Sequence, residues 1–390
     1  MTFKTSYLAS ALLLLAARAS AQTANAEAAF ATLQEWYDPV TGLWNTAGWW
    51  NGANAMTVIA ELAAVDASIV QDAISIFETT FSVAPSVNPS NGVEKSVGTN
   101  GLIQTTYPAG WPNNTISKRA IQDSTDPTVW LDGANDDAEW WGLAWVAAYD
   151  VTGNETYLNL AEGIFNEIAA GWGTNCGNGG IYWETTNHYV NAIASELFIS
   201  LAAHLANRVP ANAATYTAWA EEAWNWFAST GMINANGTIN DGLTTDCVNN
   251  GQPVWSYNQG VILGGLTELN KISPNESYIE SANSIAQAAI AALADSNYVI
   301  HDYACEPSDC EPNGTQFKGI FMRNLLLLQR ASPNDLYSKV IEACAASIWA
   351  NDRDTTTGEL GVNWAGPFVG GDATTQSSAM GALVAAISVE

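Results

Sequence analysis

Basic residues are scarce in this 390-residue chain: 12 Lys and Arg stand against 39 Asp and Glu, a formal charge of −27. Binding to nucleic acid or to an anionic membrane begins with Lys and Arg neutralising phosphates, so neither is a natural partner and a neutral ligand is expected. Histidine is nearly absent: His188, His204 and His301 lie far from any ligand-like spacing, and no CxxC occurs, so a zinc centre is not expected. No apolar run reaches the roughly 20 residues needed to cross a bilayer. Sustained runs of alternating β-branched residues are missing too, and the high Ala content favours helix.

The chain opens as an export signal over residues 1–21, with Lys4 at its positive end, an apolar run from Leu8 to Ala17, and Ala19-Ser20-Ala21 as a cleavage site. The mature chain then starts near Gln22, and losing Lys4 and Arg18 but no acid takes the charge from −27 to about −29. Asn-x-Ser/Thr sequons at Asn113, Asn154, Asn236, Asn275 and Asn313 suit a secreted, extracellular surface. An oxidising compartment also suits the cysteines. Cys305 and Cys310 bracket the turn-rich EPSD as a local bridge, Cys176 and Cys247 in Gly/Asn-rich loops form a second pair, and Cys344 shares a helical stripe with Ile341 and Ile348 as a buried free thiol. At the other end, Gly370-Gly371-Asp372 followed by Ala379 to Val389 loosely imitates a lipid-anchor signal. Gly381 and the terminal Glu390 read better as part of a last amphipathic core helix.

A repeated unit, an aromatic or Asn-rich loop feeding a small-residue helix, recurs along the chain. It opens with WWNGANAMTVIAELAAV and returns as NDDAEWWGLAWVAAY, NHYVNAIASELFISLAAHL, WSYNQGVILGGLTEL, FKGIFMRNLLLLQ and TTQSSAMGALVAAI. Between these lie helices of another texture, such as ETYLNLAEGIFNEIAAGW and ESYIESANSIAQAAIAAL, with apolar residues three and four apart. The alternation predicts an all-α fold, an (α/α)6 barrel of six inner and six outer helices forming one domain over residues 22–390. APSVNPSNGVEKSVGTNGLIQTTYPAGWPNN is a long excursion between helices, of the kind that is functional or disordered.

In such a ring the loops before the inner helices converge on one mouth. They carry Trp49, Trp50, Asn51, Trp130, Asn135, Asp136, Asp137, Tyr182, Trp183, Asn191, Trp255, Tyr257, Asn258, Gln259, Phe317, Lys318 and Gln376, with Asn54 one turn further in. Flat aromatics among carboxamides and carboxylates suit a sugar chain, because pyranose faces stack on indoles while hydroxyls need fixed donors and acceptors. Trp219, Trp224, Trp226 and Trp349, on outer helices, read as core, and Trp140, Trp141 and Trp145 divide between cleft wall and core.

Glycoside hydrolysis commonly uses two carboxyls, roughly 6.5–9.5 Å apart for inversion and about 5–5.5 Å for retention. Consecutive Cα atoms are about 3.8 Å apart, so Asp136 and Asp137 fall more easily in the shorter range. Each raises the other's pKa, and an indole wall raises it further for the less solvated member. The competing assignment is a helix N-cap at Asn135 and Asp136. The catalytic reading therefore requires both side chains to face the central cavity, free of a cap or an ion pair.

The segment NDDAEWWGLAWVAAYDVTGNETYL resembles the acid-pair segment of glycoside hydrolase family 76, the α-1,6-mannanases. The similarity continues in GGIYWETTNHYVNAIASELFISLAAHLA, WSYNQGVILGGL, FKGIFMR and QSSAMGALVAAI, in order along nearly the whole mature chain. The resemblance implies an (α/α)6 barrel and retaining endo cleavage of an α-1,6-linked mannan, without metal or organic cofactor. It makes Asp136 the nucleophile, Asp137 the general acid/base, and Asp241 a further sugar-binding carboxylate, with Asp246 close by. Fungal members act at the cell wall, where transfer of glycans can replace hydrolysis. Rivals are another toroid enzyme, such as a sugar epimerase or an unsaturated glucuronyl hydrolase, and a wall protein that binds mannan without cleaving it. The first would want His at the mouth and the second abundant Arg; an intact acid pair speaks against the third.

Overall fold

The computed structural model describes residues 20–112 and 122–389, which contain twelve α-helices. In chain order they are α1 (20–34), α2 (Trp49–Val65), α3 (Val70–Val83), α4 (Asn135–Thr152), α5 (Glu155–Ala169), α6 (Ala192–Arg208), α7 (Ala213–Ser229), α8 (Ser256–Ile272), α9 (Glu276–Leu293), α10 (Phe317–Ala331), α11 (Asp335–Asn351) and α12 (Ala373–Ile387). The even-numbered helices pack side by side, and α12 returns against α2 to close the ring. Each later odd-numbered helix covers the inner helix before it, while α1 is tied to α12 by Gln376 Nε2 donating to Ala29 O at 3.0 Å. This is the (α/α)6 barrel.

Small residues permit the crowding. A Cβ on Gly319 of α10 would meet Ser378 O of α12 at 2.4 Å, and one on Gly260 of α8 would meet Phe321 Cα of α10 at 2.6 Å. At both positions only glycine lets the backbones touch. Outer helices are one-sided: α9 buries Tyr278, Ala282, Ile285, Ala286, Ala289, Ile290 and Leu293, a stripe at three- and four-residue spacing. Asn154, Asn275 and Asn334 cap α5, α9 and α11, each accepting from the backbone two residues on.

Several expectations need correction. α12 is buried around its whole circumference, not amphipathic, since it is the sixth inner helix. The long excursion contains an antiparallel hairpin, β3 (Glu94–Val97) and β4 (Ile103–Thr106), and a smaller pair, β1 (Tyr37–Asp38) with β2 (Leu43–Trp44), precedes α2. Asn313 is buried, donating from Nδ2 to Ile103 O and Thr105 Oγ1 and accepting from Trp50 Nε1, so this sequon is part of the core. Asn154, Asn236 and Asn275 are exposed. The cysteines pair as expected, Cys176 with Cys247 and Cys305 with Cys310, leaving Cys344 buried and free. Most of the export signal and the Asn113 sequon lie outside the described residues; Ser20 and Ala21 are already in α1. Among the described residues no helix is long and apolar enough to cross a membrane.

Candidate active site

The loops entering α4, α6 and α8 are zipped together by backbone hydrogen bonds. Asn135 N donates to Trp183 O, Trp183 N to Tyr189 O, Ala192 N to Asp241 O and Leu243 N to Val190 O, all within 2.8–2.9 Å. Asn135 adds a side-chain bond from Nδ2 to Tyr182 O at 2.7 Å. These ties fix the first turn of α4, and with it Asp136 and Asp137, against the strip that carries Trp183 and Asp241.

Neither aspartate serves as a helix cap, since α4 has no side-chain cap at all. Asp136 is 6% exposed and Asp137 1%. Trp183 Nε1 donates to Asp136 Oδ2 at 3.1 Å. Both carboxyls, however, meet a cation that the sequence did not suggest: Lys95 Nζ lies 2.6 Å from Asp137 Oδ1 and 3.5 Å from Asp136 Oδ1. The expectation of a pair free of ion pairing is therefore wrong. Asp132 completes the group, anchored by Ala134 N donating to its Oδ1 and facing the carboxyl of Asp137. Two carboxyls in contact need a proton between them.

Burial raises Asp136 to about 6, with Lys95 opposing and the charge of Asp137 adding to the rise. Asp137 goes well above the usual carboxylate range, driven by burial and then, against the pull of Lys95, by the carboxyl of Asp132. The pair thus differs in proton affinity, Asp137 being raised further above the usual carboxylate range than Asp136. Asp241, 1% exposed, is likewise raised to about 6 by burial, with Tyr189 opposing and Asp136 contributing. Tyr189 Oη donates to Asp241 Oδ2 at 2.5 Å and accepts from Asn250 Nδ2 at 2.8 Å. Asp246 is exposed, so Asp241 is the acid that joins the group.

Tyr257 lies flat on Phe317, ring centres 3.9 Å apart. Its Oη, both amide atoms of Asn258, Asn191 Nδ2 and Asp241 Oδ1 are buried without a protein hydrogen-bond partner. Such groups are costly unless something polar reaches them. Trp140 stacks on Trp50 with centroids 5.9 Å apart, one turn below Asp136, and Arg323 lies 5.5 Å from its ring centre.

Other expected contacts belong to the framework instead. Trp49 and Trp130 are fully buried in a cluster with Trp141, Trp145 and Phe81. Gln259 is used up by Ile239 N, Ile239 O and Trp255 O. Lys318 is held by Val362 O at 2.6 Å and Glu306 Oε1 at 2.5 Å, over the face of Trp364. Gln376 joins Leu360 N to Ala29 O. Asn54 bonds Trp50 O and Arg323, and Asn135 braces Tyr182. The residues missed were Lys95, Asp132 and Tyr189. The hairpin carrying Lys95 did leave a signal, VEKSV and LIQTT around the turn-forming GTN.

The family description Glycosyl hydrolase family 76 matches residues 105–389. The mannan endo-1,6-alpha-mannosidase DFG5 of Candida albicans is 30% identical over 277 residues, 64% of this chain and 60% of that protein. The mannan endo-1,6-alpha-mannosidase DCW1 of Saccharomyces cerevisiae is 26% identical over 250 residues, 59% and 55% of the two chains. The chain thus spans little more than half the length of these relatives. An inactive variant of the alpha-1,6-mannanase GH76A of Salegentibacter sp. HEL1_6, with two consecutive aspartates changed to asparagine and bound to alpha-1,6-mannotriose, superposes with a TM-score of 0.73 at 19% identity, covering 95% of this chain and 100% of that one. With the family matched over most of its length, the barrel in common and the acid pair buried in the first turn of inner helix α4, this chain belongs to glycosyl hydrolase family 76.

Proposed function

We propose that the chain is a secreted, single-domain, endo-acting glycosidase that cleaves α-1,6-mannosidic bonds of mannan backbones with retention of configuration. One observation carries this reading: two neighbouring carboxyls of unequal proton affinity, buried together in the first turn of an inner helix. Lys95 Nζ is 3.5 Å from one carboxyl oxygen and 2.6 Å from the other, so those oxygens can be no further apart than the two distances end to end, about 6.1 Å. So close an approach of one oxygen from each carboxyl suits the short spacing of a retaining pair better than the roughly 6.5–9.5 Å that leaves room for the water of an inverting reaction.

Asp136, the more readily ionised, attacks the anomeric carbon and forms a glycosyl ester. Asp137 gives its proton to the departing glycosidic oxygen. Asp137, now a carboxylate, then takes a proton from water as the water oxygen displaces Asp136, restoring both groups. Tyr257, Asn258, Asn191 and Asp241 supply polar atoms for sugar hydroxyls. The names of the fungal relatives and the ligand of the bacterial neighbour support mannan as the substrate. Burial of both acids also favours a second outcome, in which a sugar hydroxyl replaces water and the glycan is transferred.

Incubation with linear α-1,6-mannan and NMR of the first product tests the reading. Short oligomannosides with the α anomer formed first are expected; a β anomer would overturn retention, and no product on any mannan would overturn the activity.

A further inference from the structure

The cation on the acid pair comes from the hairpin, not from the barrel. Lys95 Nζ contacts both carboxyls, 2.6 Å from Asp137 Oδ1 and 3.5 Å from Asp136 Oδ1, and a scissile C–O bond must approach the same two groups. Ammonium and substrate therefore compete for them. The Lys95 side chain is 2% exposed, so it shuts the position it fills.

The two strands of the hairpin are attached differently. β4 is the fixed one: Asn313 Nδ2 donates to Ile103 O at 2.7 Å and to Thr105 Oγ1 at 3.0 Å, and just beyond the strand Tyr107 Oη accepts from Trp49 N at 2.8 Å. β3 is an edge strand paired to β4 alone, with Glu94, Ser96 and Val97 exposed and Lys95 turned inward. Moving β3 outward withdraws Lys95 while β4 stays in place.

We propose that Lys95 is a displaceable occupant of the cleavage position and thereby sets the shortest chain that is cleaved efficiently. The inference rests on the glycosidase reading above. Withdrawing Lys95 leaves Asp132, Asp136 and Asp137 buried without their cation, a cost that a substrate offsets only through contacts it makes with the withdrawn state and not with the closed one. Binding energy from sugars remote from the scissile bond offsets it, and only a chain long enough to fill several subsites has that energy to give. Short oligomannosides meet a site that stays occupied.

The test compares wild type with Lys95→Met and Lys95→Arg on α-1,6-mannotriose and on long linear α-1,6-mannan. Lys95→Met should raise the ratio of kcat/KM on the triose to kcat/KM on the polymer by about tenfold or more, whatever its effect on the two values taken singly. Lys95→Arg should keep the wild-type preference. An unchanged preference in Lys95→Met, or equal losses on both substrates, would overturn the proposal, the second result placing Lys95 in the chemistry itself. If no protein cleaves any mannan, the glycosidase reading has failed, and amide hydrogen exchange judges the strap separately. Exchange over residues 94–97 should be faster in Lys95→Met than in wild type and Lys95→Arg; equal rates would show that Lys95 does not hold β3 down. Should the Met variant not fold, wild type decides: long mannan must speed exchange at 94–97, and mannotriose at equal sugar concentration must not.

Discussion

Trp183 grips the start of α4 twice: its indole Nε1 donates to Asp136 Oδ2 at 3.1 Å, and its carbonyl accepts from Asn135 N at 2.9 Å. The indole bond favours the ionised form of Asp136 and so opposes the rise caused by burial. Trp183→Phe keeps the ring and loses the donor. Its kcat should fall about tenfold or more, and the acidic limb of the pH–rate profile should move to higher pH. An unmoved limb would mean that the bond is absent in the working enzyme.

The two aspartates should fail differently. In the proposed mechanism Asp136→Asn removes the attacking group, so it should abolish turnover on every substrate. Asp137→Asn removes the proton donor, at a cost of roughly 10²–10⁴-fold on natural mannan, but should largely spare glycosylation by substrates whose leaving group needs no proton. Burst kinetics with an aryl α-mannoside separates the two, and equal losses would contradict the roles.

Stability should fall as pH rises from acid toward neutral. Burial raises Asp136 and Asp241 to about 6 and Asp302 and Asp352 to about 7, so each binds its proton more tightly folded than unfolded. Their contribution is complete below the unfolded value near 4 and is lost as pH passes 6–7. Glu268 is the opposite case: despite its burial, His204, Lys271 and Arg208 hold it down to about 2, so its contribution fades only in stronger acid. A calorimetric scan should place Tm at pH 5 roughly 5 °C or more above Tm at pH 8.

Lys318 should matter for stability and not for substrate binding. Removing one partner of a buried ion pair costs about 3–5 kcal/mol, so Lys318→Met should melt markedly earlier. Its KM should stay near that of wild type if enough folded protein survives.

Glycan mapping should find Asn154, Asn236 and Asn275 occupied and Asn313 bare when the protein is made in a eukaryotic host, because Asn313 Nδ2 is committed inside the core. Occupancy at Asn313 in folded protein would be incompatible with this packing.

The acid pair was legible because adjacency in sequence forces adjacency in space, and the barrel because its helices alternate in texture. Rotation about a helix axis was not legible. Trp49 and Gln259 stand at the right end of the right helices, yet they turn into loops or core while Trp50, Tyr257 and Asn258, one or two residues away, turn elsewhere; Lys318 is likewise taken up by Glu306 and Val362. Lys95 was hidden for another reason. It lies 42 residues before Asp137 and reaches it from a hairpin whose path no spacing rule encodes.

The stave that shuts the ring is the last one made. α12 follows every other helix and wedges between α10 and α2, with Gln376 reaching back to α1. Until the ribosome has passed Ile387, five staves form an open arc whose two flanks lack their mate. A premature stop near residue 370 is therefore as damaging as one at mid-chain, and its product should be degraded by cellular quality control.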